Sequence, residues 1–202
     1  MAEHSSQSEE RLRLFVAIAV PESVKAEITN AQKCLSQALP RISARWTRPD
    51  QFHLTLRFLG NVQAALAEQL IDSLRTTCES ISPLELRASG LGFFPSAKAP
   101  RVVWVGVQDN RNQLQELHSA VEQVTARFTK EKTEERFNGH ITLGRLKDLR
   151  RLEADILTKA GERFSATSFG QWTAREIHLM CSRLSSQGAE HMLLAAIPLA
   201  GC

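Results

Sequence analysis

From Phe52 to Leu59 the chain alternates apolar and polar positions almost strictly, as Phe-His-Leu-Thr-Leu-Arg-Phe-Leu. A period of two predicts a half-buried β-strand. On it Phe52, Leu54, Leu56 and Phe58 share one face, and His53, Thr55 and Arg57 share the other. Gly60-Asn61 is expected to stop that strand. Ahead of it, Leu12 to Val20 is almost continuously apolar and predicts a strand buried on both faces. Pro21-Glu22 opens a helix that runs to Leu39 and ends at Pro40. Ala44 to Arg48 reads as a short strand.

Ala64 to Cys78 carries Leu66, Leu70, Ile71 and Leu74 at helical spacing. Leu84 to Leu91 and Val102 to Val107 read as strands around a loop from Gly92 to Pro100. Asn110 to Phe128 is an amphipathic helix with Leu114, Leu117, Val121 and Val124 on one side. Glu131 to Arg136 is a mixed charge run, read as solvated. A strand from Phe137 to Leu146 follows, then a helix from Leu149 to Ala160 stopped by Gly161. Phe164 to Phe169, Ala174 to Leu184 and His191 to Leu199 complete the prediction as strands, with hairpin-turn chemistry at Ser185-Ser186-Gln187-Gly188. Each half of the chain carries two helices and several strands. The echo predicts an α+β fold: two pseudo-symmetric antiparallel sheets facing a central groove, with helices on the outer faces.

The echo is sharpest at one motif. His53-Leu54-Thr55-Leu56 returns as His140-Ile141-Thr142-Leu143, again on a predicted strand. His140 and Thr142 share a face, with Ile141 and Leu143 behind them. Two such strands facing each other offer two imidazoles and two hydroxyls to one groove. Histidine moves protons near neutral pH, so a pair can supply a general base and a general acid. The hydroxyls of Thr55 and Thr142 can donate to the non-bridging oxygens of a phosphate. This chemistry needs no metal or other cofactor, and no acidic or Cys ligand recurs at fixed spacing beside the two His.

At these residues the sequence resembles the two-histidine (2H) phosphoesterases, and within them the RNA 2′,3′-cyclic phosphodiesterase branch, also called 2′-5′ RNA ligase. The resemblance spans nearly the whole chain. It rests on Arg13 to Ile18 with Pro21, on Trp46 and Pro49, on His53 to Gly60, on Arg101 to Val107, and on His140 to Arg145. It implies hydrolysis of cyclic phosphate ends of RNA to 2′-phosphomonoesters, with ligation as the reverse. It implies His53 as proton donor to the leaving 3′-oxygen and His140 as base for water. It also brings Arg145 to the substrate, although strict alternation puts Arg145 opposite His140 unless the strand bulges near Gly144. Phe58 stands at the equivalent place after His53 and is either a base-stacking ring or core; Arg57 is a phosphate contact or a rim charge. Lys98 and Arg101 are loop charges that can guide RNA. Two departures stand out. Gly139 occupies a place usually taken by Pro, and His191 one usually taken by Tyr, a residue this chain lacks entirely. His178 alternates with Ile177 and Leu179 and is a weaker groove candidate; His118 reads as a surface residue of its helix. The alternatives are an enzyme acting on another cyclic or 2′-5′ phosphodiester, and a non-catalytic RNA-binding module.

Composition narrows the picture slightly. With 202 residues and 43% hydrophobic content, the chain is read as a polar tail, residues 1–10, and one bilobal domain, residues 11–202. A net charge of +3 excludes a polybasic coat protein and leaves room for a local basic groove. Four Cys without paired spacing point to a reduced, cytoplasmic protein. The longest apolar run is too short for a membrane span, and no signal peptide is evident. A monomer is expected.

Overall fold

The computed structural model describes residues 10–38, 43–132, 137–147, 149–185 and 188–201. The elements run β1 (Arg11–Ala19), α1 (Glu22–Ala38), β2 (Ser43–Trp46), β3 (His53–Gln63), α2 (Ala67–Cys78), β4 (Leu84–Phe94) and β5 (Val102–Asp109). They continue with α3 (Gln113–Thr125), β6 (His140–Lys147), α4 (Arg151–Glu162), β7 (Ser168–Ala174), β8 (Glu176–Ser185) and β9 (Gly188–Pro198). The expected stop at Pro40, most of the charge run at 131–136 and the centre of the 185–188 turn lie outside the described residues.

The strands follow the order β7-β4-β5-β6-β3-β1-β8-β9, antiparallel throughout, with β2 on the free side of β6. At the middle, β3 and β6 pair at one position, Leu54 with Ile141. That narrow seam divides the nine-stranded sheet into a half of β7, β4, β5 and β6 with β2, and a half of β3, β1, β8 and β9, curled around a groove. Helices α1 and α4 pack behind the β6 half, and α2 and α3 behind the β3 half. The lobes are therefore interleaved: α1 leaves β1 to back the opposite lobe, and α3 does the same after β5. Each helix buries one stripe. In α1 that stripe is Val24, Ile28, Ala31 and Leu35, with Gln32 the polar member among them. Burial of such aliphatic side chains is worth about 1.5–3 kcal/mol each, and it makes the two layers one continuous core.

Of the boundaries that differ from the sequence reading, three change the course of the sheet. Gly60 does not end β3. Its φ of +62° accommodates a local irregularity after which pairing with β1 resumes as far as Gln63. Gly92 to Phe94 is strand rather than loop, paired with Val102 to Trp104. Gly92 permits this because a Cβ there would lie 2.1 Å from the Trp104 ring. Phe164 to Thr167 is turn, closed by bonds from Phe164 N–H to Gly161 O and from Thr167 N–H to Phe164 O, so β7 starts at Ser168.

Candidate active site

The two motif strands carry the same irregularity at the same place. In β3, Thr55 pairs with Ala17 and Arg57 with Val16, so Leu56 is an extra residue in the ladder. In β6, Thr142 pairs with Trp104 and Gly144 with Val103, so Leu143 is extra. A bulge of one residue reverses which face every later side chain takes. Hence both strands share one burial sequence: His half-buried, aliphatic buried, Thr half-buried, Leu buried, the next residue buried, the one after exposed. Arg145 reaches the groove by this bulge, at Leu143 rather than Gly144, and Phe58 reaches it by the bulge at Leu56.

The bulge also corrects the expectation for Arg57. It points away from His53 into the interior, 6% exposed. There its Nη1 donates to Glu122 Oε1 at 2.8 Å and to the Lys132 carbonyl at 3.0 Å, and its Nη2 donates to the Glu131 carbonyl at 2.9 Å. Arg57 is a strut between β3, α3 and the segment after it, and it is not among the described residues that line the groove.

An extra residue leaves backbone groups outside the ladder, and buried ones need partners. The Leu143 carbonyl accepts from Thr47 N–H and from Gln32 Nε2, both at 2.8 Å. The same Gln32 amide donates to the Thr47 carbonyl at 2.8 Å. Gln32 thus fixes the β6 bulge against β2. Beside it, the Trp46 ring lies over Gly144, where a Cβ would come within 2.7 Å of that ring.

Each motif histidine is held the same way. His53 Nδ1 lies 2.7 Å from the carbonyl of Gln51, and His140 Nδ1 lies 2.7 Å from that of Asn138, two residues back in both cases. A carbonyl only accepts, so Nδ1 carries the proton and the neutral ring leaves Nε2 as an acceptor. Both rings line one groove of about 510 Å³ together with Thr55, Thr142, Phe58 and Arg145. Neither threonine hydroxyl has a protein partner among the described residues. His53 is the more enclosed ring, with Phe15 at 5.0 Å and His191 edge-on at 5.2 Å between centroids. Burial pulls its pKa down to about 4; the Gln51 carbonyl opposes this, while His191 and His140 add to it. His140 sits against Phe94 at 5.1 Å and Trp104 at 6.0 Å.

Several residues of the groove escaped the sequence reading. Arg13 and Arg45 line it with Arg145, giving three arginines and three histidines without one lining carboxylate among the described residues. Gln51 ties the approach to His53 to β9 through a bond from its side-chain amide to the Ala189 carbonyl. His191 stands in the groove, its pKa lowered by burial and by Arg13, with Asp50 opposing. His178 faces an adjoining hollow, its Nε2 at 2.8 Å from Glu176 Oε1. His118 is buried, not on the surface, and stacks on Phe137 at 4.1 Å. At Gly139, a Cβ would lie 2.7 Å from the Val107 carbonyl oxygen, so the close approach of these strands favours the glycine found there. The short β2 gave no signal for Arg45, because four residues are too few to read a face.

A family model for LigT-like phosphoesterases matches the chain twice, over residues 18–104 and 105–189, one motif in each match. The chain belongs to the LigT-like phosphoesterase family. Among relatives of this LigT-like chain, the RNA 2′,3′-cyclic phosphodiesterase of Aquifex aeolicus is 29% identical over 94% of this chain and 98% of that protein. The Aeropyrum pernix protein of the same name is 35% identical over 75% and 84%. A crystal structure of a Thermus thermophilus protein superposes with a TM-score of 0.74 at 26% identity, covering 94% of this chain and 99% of the other. E. coli LigT in complex with 3′-AMP shares the fold, with a TM-score of 0.75 at 22% identity and coverage of 94% and 99%. No helix among the described residues is long and apolar enough to cross a membrane.

Proposed function

We propose that this LigT-like chain hydrolyses 2′,3′-cyclic phosphodiester ends of RNA to 2′-phosphomonoesters by paired histidine acid–base catalysis. The observation that carries the reading is the matched pair: two imidazoles anchored through Nδ1, each on a strand with a threonine whose hydroxyl has no protein partner among the described residues, in a groove lined by cations. The activity named for the relatives supports the substrate class.

In this mechanism a water oxygen forms a bond to phosphorus while the bond from phosphorus to the 3′-oxygen breaks. His140 Nε2 takes the proton from water, and His53 Nε2 gives one to the 3′-oxygen. The polarity follows the family resemblance. With its pKa at about 4, His53 is neutral at pH 7 before substrate binds. As donor it takes up a proton with the substrate, whose negative charge favours the imidazolium. Thr55 and Thr142 donate to the non-bridging oxygens, and Arg145 balances their charge. Phe58, half-exposed at the lip, offers its ring to the terminal base. With a 5′-hydroxyl in place of water as the nucleophile, the same steps in the same direction form a 2′-5′ linkage, the bond to the 3′-oxygen again breaking.

The test is hydrolysis of an oligonucleotide ending in a 2′,3′-cyclic phosphate, with EDTA present. His53→Ala and His140→Ala should each lower kcat by about 10²–10⁴. The double variant should be little worse than either, because the two act as a unit. Full activity in the double variant refutes the reading, and tight binding without turnover assigns the groove to a non-catalytic module.

A further inference from the structure

Arg45 and Arg145 stand directly opposite each other in the antiparallel pairing of β2 with β6. Both line the groove, and neither forms an ion pair among the described residues. Like charges at directly opposite positions destabilise a sheet. Among the described residues, no Asp or Glu lines the groove to neutralise them. The arrangement is also held firmly in place. Gln32 and the Thr47 amide grip the Leu143 carbonyl behind it, and Trp46 closes over Gly144. A fixed pair of guanidinium-bearing residues matches an anion with several oxygens, because each fork can donate two parallel bonds. One phosphodiester at the motif histidines carries a single negative charge, and three groove arginines exceed what it requires.

We infer that Arg45, next to Arg145, forms a second anion subsite that takes the phosphate on the 5′ side of the terminal nucleotide. The chain then selects a polyanionic substrate, an RNA end or a 5′-phosphorylated nucleotide, over a bare cyclic mononucleotide. This rests on the reading that the motif histidines flank the reacting phosphate. Arg13, on the opposite wall with β1, faces His191 and lies outside this pair.

Binding tests this without turnover. Adenosine 3′-monophosphate and adenosine 3′,5′-bisphosphate differ only in the second phosphate, and their affinities are read by titration calorimetry in metal-free buffer. The wild-type chain should bind the bisphosphate about tenfold tighter or more, as one charge-assisted contact implies. Arg45→Ala should bring the two affinities together, and Arg45→Lys should keep part of the preference, since a point charge replaces the fork. Arg13→Ala should keep the preference. Equal affinities in the wild type, or an undiminished preference in Arg45→Ala, overturn the subsite. Either result leaves the hydrolysis assay above to stand or fall separately.

Discussion

Replacing Arg57 with Met separates a structural strut from a substrate contact. The Met side chain keeps most of the apolar stem and removes the guanidinium. Glu122 then loses its partner, and the carbonyls of Glu131 and Lys132 each lose a donor. The arginine is 6% exposed and the glutamate 19%. Breaking a buried pair from one side costs about 3–5 kcal/mol. The residual exposure of Glu122 lets water reach it, which favours the lower end, about 3 kcal/mol. Urea unfolding monitored by Trp fluorescence and far-UV circular dichroism measures this. Arg57→Met combined with Glu122→Leu should recover about 1–2 kcal/mol, because no charge is left stranded. Activity per folded molecule should remain close to wild type, since Arg57 faces away from the groove. A variant as stable as the wild type but impaired in kcat/KM would refute the assignment and return Arg57 to the substrate.

Two further outcomes follow from the same geometry. Gln32→Leu strands the Thr47 carbonyl and weakens the hold on Leu143, so stability should fall by about 2 kcal/mol. Turnover should fall about tenfold as Thr142 and Arg145 lose their fixed bulge; unchanged unfolding curves and unchanged kcat/KM would contradict this. The folded-state pKa of His53, about 4, lies below its ordinary value of 6.5. The unfolded chain therefore binds the proton first as pH falls. Stability is full above about pH 6.5 and declines towards pH 4, by about 3 kcal/mol in all. His53→Asn should flatten that decline in denaturant titrations across pH, and an equally steep curve in the variant would rule His53 out as its source.

The local pattern alone placed much of this molecule. Period-two alternation marked both motif strands, 3.6-residue periodicity marked the helices, and the repeated His-x-Thr marked the residues that meet in the groove. Those features are short-range, so a single sequence carries them. What sequence could not settle was parity beyond the third residue of each motif. Leu56 and Leu143 read as ordinary inward-facing positions, yet each is an extra residue in its ladder. The choice is made by neighbours far along the chain: Ala17 and Val16 against β3, and Trp104, Val103, Thr47 and Gln32 against β6. It reverses the roles of Arg57 and Phe58 and delivers Arg145 to the groove. Likewise, the repeat announced two lobes, but packing decided that each borrows its helices from both halves of the chain. The amino-acid order by itself determined which side chains are available and which face each takes inside a regular element. Only the tertiary structure decided where regularity breaks, because the energy of a bulge lies in hydrogen bonds to residues distant in the chain, such as that from Gln32 to the Leu143 carbonyl 111 positions away.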